Sequence, residues 1–291
     1  LVGVGGAEVR TASVTMPPCS AMIARRERAL GRAVSPMTAR RNLALRDQDL
    51  AAGATLAGAR PSRFLFSVTE RCNLRCAHCI THAPERTRSG AARTMTSAVL
   101  DSIASDLGLA DYFAFVHGGE SLTAPVLFDL LEAIAAARGP EPYVAHLLTN
   151  GLLLDASNAE RIVERGVSSV SVSLDGASAA TNDAIRVGGR FDEICENVRS
   201  VLGWRASERV DLRLGLSAVV LSQNLAELDG LVDLALDLGV DYLKLEEGVP
   251  ATSFARRSLV SCASGQARAA IDAALARGRS RGLVMIDHTV E

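Results

Sequence analysis

Thr69-Glu70-Arg71-Cys72-Asn73-Leu74-Arg75-Cys76-Ala77-His78-Cys79 places three cysteines in a C-x3-C-x2-C array directly after a short apolar run. Three soft thiolates this close together can hold one metal centre while leaving its fourth corner unfilled. An iron–sulfur cube normally takes four thiolates, so a three-thiolate site leaves one iron open to a ligand from outside the chain. Taken alone, the residues also admit a zinc ion, with His78 or His82 as the fourth ligand.

Outward from this loop the chain is regular. An apolar run at 64–69 leads into the cysteines, and helical spacing of Val99, Leu100, Ile103 and Leu107 predicts a helix over 95–107 stopped by Gly108. Strands are expected at 112–117, 143–149, 167–174, 211–220 and 241–246, with helices at 125–137 and 159–165 and in the segment carrying Phe191, Ile194, Cys195, Val198 and Val201. Cys195 reads as a buried small apolar residue. Asn224 and Glu227 have capping-box spacing, and Gly239 closes the helix they open. A last helix at 265–275 and a short strand at 282–286 end the chain. Strand–helix units of this length imply a parallel sheet with crossover helices, an α/β fold. In such barrels the active site lies at the C-terminal strand ends, where the polar motifs fall.

Alternate residues of a strand face opposite sides. Val170, Val172 and Leu174 suit the helix-facing side, which turns Ser171, Ser173 and Asp175 inward. Three polar groups on one face of a central parallel strand are a costly way to fill a core. Gly118-Gly119-Glu120 lets the backbone approach a ligand closely and offers a carboxylate to an ammonium group. Thr149-Asn150-Gly151 ends the next strand, and an inward Asn150 turns His146 inward as well. Arg213, Gly215, Ser217 and Val219 share one side of the fifth strand, and Tyr242, Lys244 and Glu246 one side of the sixth.

The cysteine spacing, followed about 40 residues later by Gly118-Gly119-Glu120, resembles the radical S-adenosylmethionine (SAM) superfamily. That resemblance implies a partial (β/α)6 TIM-like barrel over 61–250, with a helical extension at 1–60 and a helical cap with a short strand at 251–291. It implies a [4Fe-4S] cluster on Cys72, Cys76 and Cys79, its fourth iron chelated by the SAM amino and carboxylate groups. His78 would flank the adenine. Gly118, Gly119 and Glu120 would hold the SAM amino group, and Arg186 its carboxylate, a task suited to a guanidinium. Asn150, Ser171, Ser173 and Asp175 fall where relatives contact SAM or substrate. The expected chemistry is one-electron cleavage of SAM, with electrons from a flavodoxin or ferredoxin, followed by hydrogen abstraction from a substrate C–H bond.

The substrate is a small molecule or a peptide. Lys244 and Glu246 are candidates to line its cavity, or else a buried ion pair. Cys262, expected near the barrel mouth, is a candidate hydrogen donor, which resembles epimerases acting on carbohydrate-containing natural products. A peptide maturase and a small-molecule dehydrogenase are the alternatives, and a non-catalytic Fe–S scaffold is a further one. The chain lacks the cysteine-rich extension of many peptide-modifying relatives, since Cys262 is the one cysteine beyond the sixth strand.

Composition bounds the chain to one large domain or one domain with a small appendage. Apolar residues make up 48% and aromatics 4% of 291 residues, so Ala, Leu and Val must build the interior. A net charge of −2 without like-charged tails argues against general nucleic-acid binding. Of 31 Lys and Arg residues only Lys244 is a lysine. Three clustered and three scattered cysteines are not a disulfide framework, and an oxygen-sensitive cluster points to a reducing compartment, the cytoplasm. No apolar run reaches the length of a membrane span and no signal peptide is read at the start. The basic first 60 residues predict short helices at 21–31 and 38–52, and Cys19 is read as incidental.

Overall fold

The computed structural model describes residues 36–263 and 265–289. Cys19 and the helix expected at 21–31 lie outside the described residues. The chain divides into two units after Arg32, and all described residues belong to the second. The helix expected at 38–52 is found as α1, Pro36–Ala51.

Among the described residues, seven strands form one parallel sheet in the order β1 to β7: Arg63–Phe66, Tyr112–Phe115, Val144–Thr149, Ser169–Ser173, Arg213–Val220, Tyr242–Glu247 and Val284–His288. Crossovers carry α2 (Ala83–Ser89) and α3 (Ser97–Leu107), then α4 (Val126–Arg138) and α5 (Ala156–Val163). They continue with α6 (Ala179–Ile185), α7 (Phe191–Glu208), α8 (Leu228–Leu238), α9 (Ser253–Ser258) and α10 (Gly265–Ser280). Each strand pairs with its successor and β1 and β7 are the two edges, so the α/β barrel is open. The short strand expected at 282–286 is β7, which extends the sheet one strand past the six main units.

Alternation along the strands builds the core. Phe113, Phe115, Leu147, Val170, Val172, Leu214, Leu216, Leu243 and Leu245 are all buried on the helix-facing side, against residues such as Leu127, Ile134, Ile162, Val198 and Leu231. Burying each such side chain contributes about 2 kcal/mol. A one-residue slip would turn that whole set to the other face, so the register is strongly determined. Cys195 is in this core, as expected.

Register then determines which inner residues are neighbours. His146, Ser169 and Arg213 form one row, and Leu148, Ser171, Gly215, Tyr242 and Val284 the next. Above them come Ser173, Ser217, Lys244 and Ile286, then Val219, Glu246 and His288.

Side-chain caps account for several helix starts. Thr96, Asp155, Ser178 and Thr252 each accept the N–H of the residue three positions on. The expected capping box at Asn224 and Glu227 is not formed. Leu225–Glu227 is a 3-10 turn, and neither residue caps a helix with its side chain. Asn224 Oδ1 instead accepts Leu221 N–H, and Glu227 reaches Ala177 N–H and the Ser178 and Thr181 hydroxyls beyond β4. Leu221 N–H of the same loop and part-buried donors of the loop after β4 take the two acceptors that a local cap would have used.

Candidate active site

The cysteine loop runs from the end of β1 over the C-terminal rim of the sheet. Its start is bridged to Thr94 through Thr69, and Cys72 N–H donates to Thr87 Oγ1 at 3.1 Å. Its second half is pinned by Arg75 N–H to Val187 O and Ala77 N–H to Ile185 O, both 2.8 Å. Cys72, Cys76 and Cys79 are all half-buried free thiols. Leu74 N–H (3.4 Å) and Asn150 Nδ2 (3.9 Å) both point at Cys72 Sγ, donors suited to a thiolate sulfur. Burial pushes the Cys76 thiol up to about 11, against the pull of Arg186, and raises Cys72 as well. Iron must therefore displace thiol protons on binding.

Among the described residues, no three His, Cys, Asp or Glu side chains converge on the position of a single metal ion. His78 is turned to Asp175 and His82 is exposed, so neither completes a tetrahedral zinc site with the thiols. The all-sulfur donor set, with hydrogen bonds aimed at Cys72, fits an iron–sulfur cluster.

The Gly118-Gly119-Glu120 turn packs directly beneath this loop. Gly118 has a φ of 85°, open to glycine, and a Cβ there would lie 2.5 Å from Thr69 O. A Cβ at Gly119 would lie 1.8 Å from Arg71 O. The close approach serves two hydrogen bonds, Gly119 N–H to Thr69 O at 2.6 Å and Glu120 N–H to Arg71 O at 2.7 Å. Thr81 Oγ1 donates to Gly118 O at 2.6 Å and closes the circuit. The Glu120 carboxylate is buried and points under the rim. It accepts from Thr149 Oγ1 (2.9 Å), Asn150 N–H (2.8 Å) and Leu122 N–H (3.2 Å). Burial raises its pKa against those bonds and the charge of Arg186. Asn150 sits beside the cysteines, its Nδ2 2.7 Å from Asn73 Oδ1.

Asp175, at the end of β4, is completely buried. Its Oδ1 accepts Val219 N–H at 2.8 Å, and its Oδ2 lies 2.7 Å from Arg186 Nε and 3.3 Å from His78 Nε2. Burial works against the charge on Arg186, but Asp175 and Cys76 outweigh it and raise its pKa. Burial lowers the pKa of His78, Asp175 opposes and Arg186 adds to the fall, so the imidazole is neutral. Its Nδ1 is buried without a partner. An orphaned acceptor or donor beside three thiols is what a ligand-binding rim leaves to its ligand. Asn182 and Asn224, both fully buried, lock Asp175 from behind through its N–H and carbonyl (3.0 and 2.7 Å).

Deeper in the barrel, Lys244 Nζ lies 2.5 Å from Glu246 Oε1, which also accepts from Ser217 Oγ at 2.7 Å. Burial would raise the Glu246 pKa, but Lys244, Ser217 and His288 bring it below the usual range. His146 Nδ1 is 3.0 Å from Ser169 Oγ. Burial, joined by the charge of Lys244 and resisted by Glu246, brings His146 down to about 4. Ser173 shares the row of Ser217 and Lys244. Ser171 is one row below, its hydroxyl 2.7 Å from Tyr242 Oη. Cys262, expected at the mouth, is 1% exposed within the apolar core, where burial raises its thiol pKa.

The structure thus gathers Cys72, Cys76, Cys79, His78, Asn150, Asp175 and Arg186 at one rim, with Gly118, Gly119 and Glu120 as its footing. Lys244, Glu246 and His146 form a second group on the inner face. Sequence reading missed Thr81 and Asn182, gave Asn224 only a helix-capping role and gave Tyr242 only a place beside Lys244 on the sixth strand. Ser178 and Thr181 signal the short α6 that carries Asn182. Gly215, opposite Tyr242 in register, signals the ring that would touch its Cβ at 2.4 Å.

Residues 66–235 match the family described as the Radical SAM superfamily. The chain is 32% identical over 215 residues to pre-heme d1 synthase of Dinoroseobacter shibae, covering 73% of this chain and 50% of that protein. It is 32% identical over 186 residues to PqqA peptide cyclase of Streptomyces rochei, covering 64% and 48%. Among solved structures, SuiB of Streptococcus suis bound to SAM superposes with a TM-score of 0.63 at 15% identity, over 92% of this chain and 60% of that one. The chain spans about half the length of the curated relatives it matches. A three-thiolate loop footed on a Gly-Gly-Glu turn, at the C-terminal rim of an open parallel barrel and inside a matching stretch of more than half the chain, makes this protein a member of the radical SAM superfamily, whose cofactors are a [4Fe-4S] cluster and SAM.

Proposed function

We propose that this protein abstracts a hydrogen atom from a peptide laid across the inner face of the barrel. Cys72, Cys76 and Cys79 would hold the cluster, and the rim of His78, Asn150, Ser173, Asp175 and Arg186 would receive SAM. Bound there, the pair supplies a carbon-centred oxidant that takes a hydrogen atom from the substrate. Glu120 keeps the rim in place from below, and Gly118 and Gly119 let the turn close on the cysteine loop.

The observation that carries the peptide reading is the make-up of the inner face. Its polar centre is His146, Ser217, Lys244 and Glu246, and its margins are the exposed apolar side chains Leu65, Val144 and Val284. An extended chain presents alternating polar and apolar groups to such a surface. Lys244 would exchange Glu246 for a substrate carboxylate or carbonyl, and His146 would stay neutral as a hydrogen-bond partner. The names of PqqA peptide cyclase and mycofactocin maturase MftC among the relatives support the same class. Epimerisation of a carbohydrate-containing natural product draws no support from Cys262, which is sealed in the core. A reducing compartment, the cytoplasm, suits the thiols and the cluster.

The test is a screen of deuterated peptides with the cluster-loaded protein, following deuterium in 5′-deoxyadenosine. Transfer from a peptide, lost in Lys244→Met at unchanged SAM binding, is the expected result. Transfer from sugars and from no peptide would overturn the reading.

A further inference from the structure

One hydroxyl stands between the cysteine loop and the Gly118 turn. His82 N–H closes onto Cys79 O at 3.5 Å, and His82 takes a left-handed φ of 54° to start α2. This tight turn brings the Thr81 side chain back over the sulfur two residues before it. Thr81 Oγ1 lies 3.4 Å from Cys79 Sγ and donates to Gly118 O at 2.6 Å. Glu70 keeps the following segment from drifting away, since Arg86 Nη1 of α2 and Arg93 Nη2 lie 2.6 and 3.2 Å from its Oε1. A hydroxyl has one hydrogen and two lone pairs. While Cys79 is a thiol the arrangement balances, because S–H donates to Thr81 Oγ1 and Thr81 O–H donates to Gly118 O. A sulfur that holds iron is a thiolate with no hydrogen to give. Both neighbours of Thr81 Oγ1 are then acceptors, and one hydrogen faces two of them.

We propose that Thr81 is a positioning residue whose hydroxyl turns its hydrogen to Cys79 Sγ in the cluster-loaded protein and makes the cluster easier to reduce. The inference rests on Cys72, Cys76 and Cys79 as the cluster ligands. Hydrogen bonds to an ionised acceptor are roughly twice as strong as those to a neutral one, and a hydroxyl rotates to suit its partners. The electron added on reduction puts more negative charge on the sulfurs, so a donor there favours the reduced form. Cys72 Sγ has Leu74 N–H and Asn150 Nδ2 as donors, and Thr81 does the same for Cys79 from the other end of the loop. The Gly118 turn keeps its backbone ties, Gly119 N–H to Thr69 O and Glu120 N–H to Arg71 O, when the hydroxyl turns away.

The experiment uses the full chain with its cluster assembled, without SAM or substrate. Iron and sulfide analysis of the parent and of its Cys79→Ala variant comes first, and a cluster that survives loss of Cys79 would refute the ligand assignment and this proposal with it. Potentiometric titration, followed by electron paramagnetic resonance of the reduced cluster, then compares the variants. Thr81→Val keeps the shape and removes the hydrogen. Its equilibrium constant for reduction is expected to fall about tenfold, which is a potential about 59 mV lower for one electron. Thr81→Ser keeps the hydroxyl and should stay within about twofold of the parent constant. Thr252→Val is the control for loosening of the loop, because Thr252 Oγ1 holds the loop by Ala77 O at 2.8 Å and not by a sulfur. It too should stay within about twofold. Three results would each overturn the proposal: a potential unchanged in Thr81→Val, a serine variant as low as the valine one, or an equal fall in Thr252→Val. A Thr81→Val protein that assembles no cluster where Thr81→Ser does assigns the hydroxyl to loop structure and overturns it too.

Discussion

The carboxylate of Glu120, at the end of β2, accepts the backbone N–H of Asn150, at the end of β3, at 2.8 Å. The second oxygen takes Thr149 Oγ1 and Leu122 N–H, so one buried side chain joins two strand ends. Glu120→Ala would strand those buried donors and should cost about 3 kcal/mol, since each unmet buried group costs about 1–3 kcal/mol. Glu120→Gln, which keeps the shape, should cost about half as much. Urea denaturation of the two variants checks the order, and a fall in SAM affinity should follow it.

Replacing Cys72, Cys76 or Cys79 by Ala singly should abolish the charge-transfer absorbance of the assembled protein and the cleavage of SAM. Cys195→Ala and Cys262→Ala should keep both and lose about 1 kcal/mol of stability from small core cavities. Cluster absorbance with iron and sulfide analysis separates the two groups. Loss of the cluster in Cys262→Ala would show that this thiol does more than pack.

Gly119→Ala puts a methyl where Arg71 O already stands, 1.8 Å away. Backbone must part from backbone, because no flexible side chain is there to yield. The expected outcome is a folded barrel that holds little iron, seen as retained far-ultraviolet circular dichroism with reduced cluster content.

His146 gives a dependence of stability on pH. Its folded pKa of about 4 lies below the unfolded value of about 6.5, so between these limits the unfolded chain binds more protons. Stability must then fall as pH drops from about 6.5 towards 4. The loss from His146 should reach about 2 kcal/mol at pH 5. His146→Gln should flatten the slope of unfolding free energy between pH 7 and pH 5 by that amount, measured by chemical denaturation. An unchanged slope would refute the assignment.

Much of this architecture was legible because it rests on periodicity and short spacing. Val170, Val172 and Leu174 determine the face of β4, and that alone turns Ser171, Ser173 and Asp175 inward. What could not be read was the choice among partners. Arg186 was expected to await the SAM carboxylate, yet it lies 2.7 Å from Asp175. Asn224 and Glu227 had a helix-capping pattern and serve instead to tie the loops after β4 and β5. Such pairings join residues 11 to 50 positions apart, where closure by tertiary packing outweighs local preference. The burial of Cys262 was not legible for the same reason, since its depth depends on how α9 and α10 cover β6 and β7.

Glu70 has a meaning beyond its two ion pairs. Arg93 and Arg86 hold its carboxyl at about 2, so it is ionised at any pH the protein meets. Through them the loop segment preceding the cysteines is fastened to a helix and a turn that follow them. The intervening backbone is therefore shaped before any iron arrives. Ordering a loop costs roughly 1–2 kcal/mol per residue, and here folding of the polypeptide meets that cost in advance. Assembly of the metal centre then resembles casting into a mould, and the apoprotein should wait for iron with its thiols already facing one another's neighbourhood.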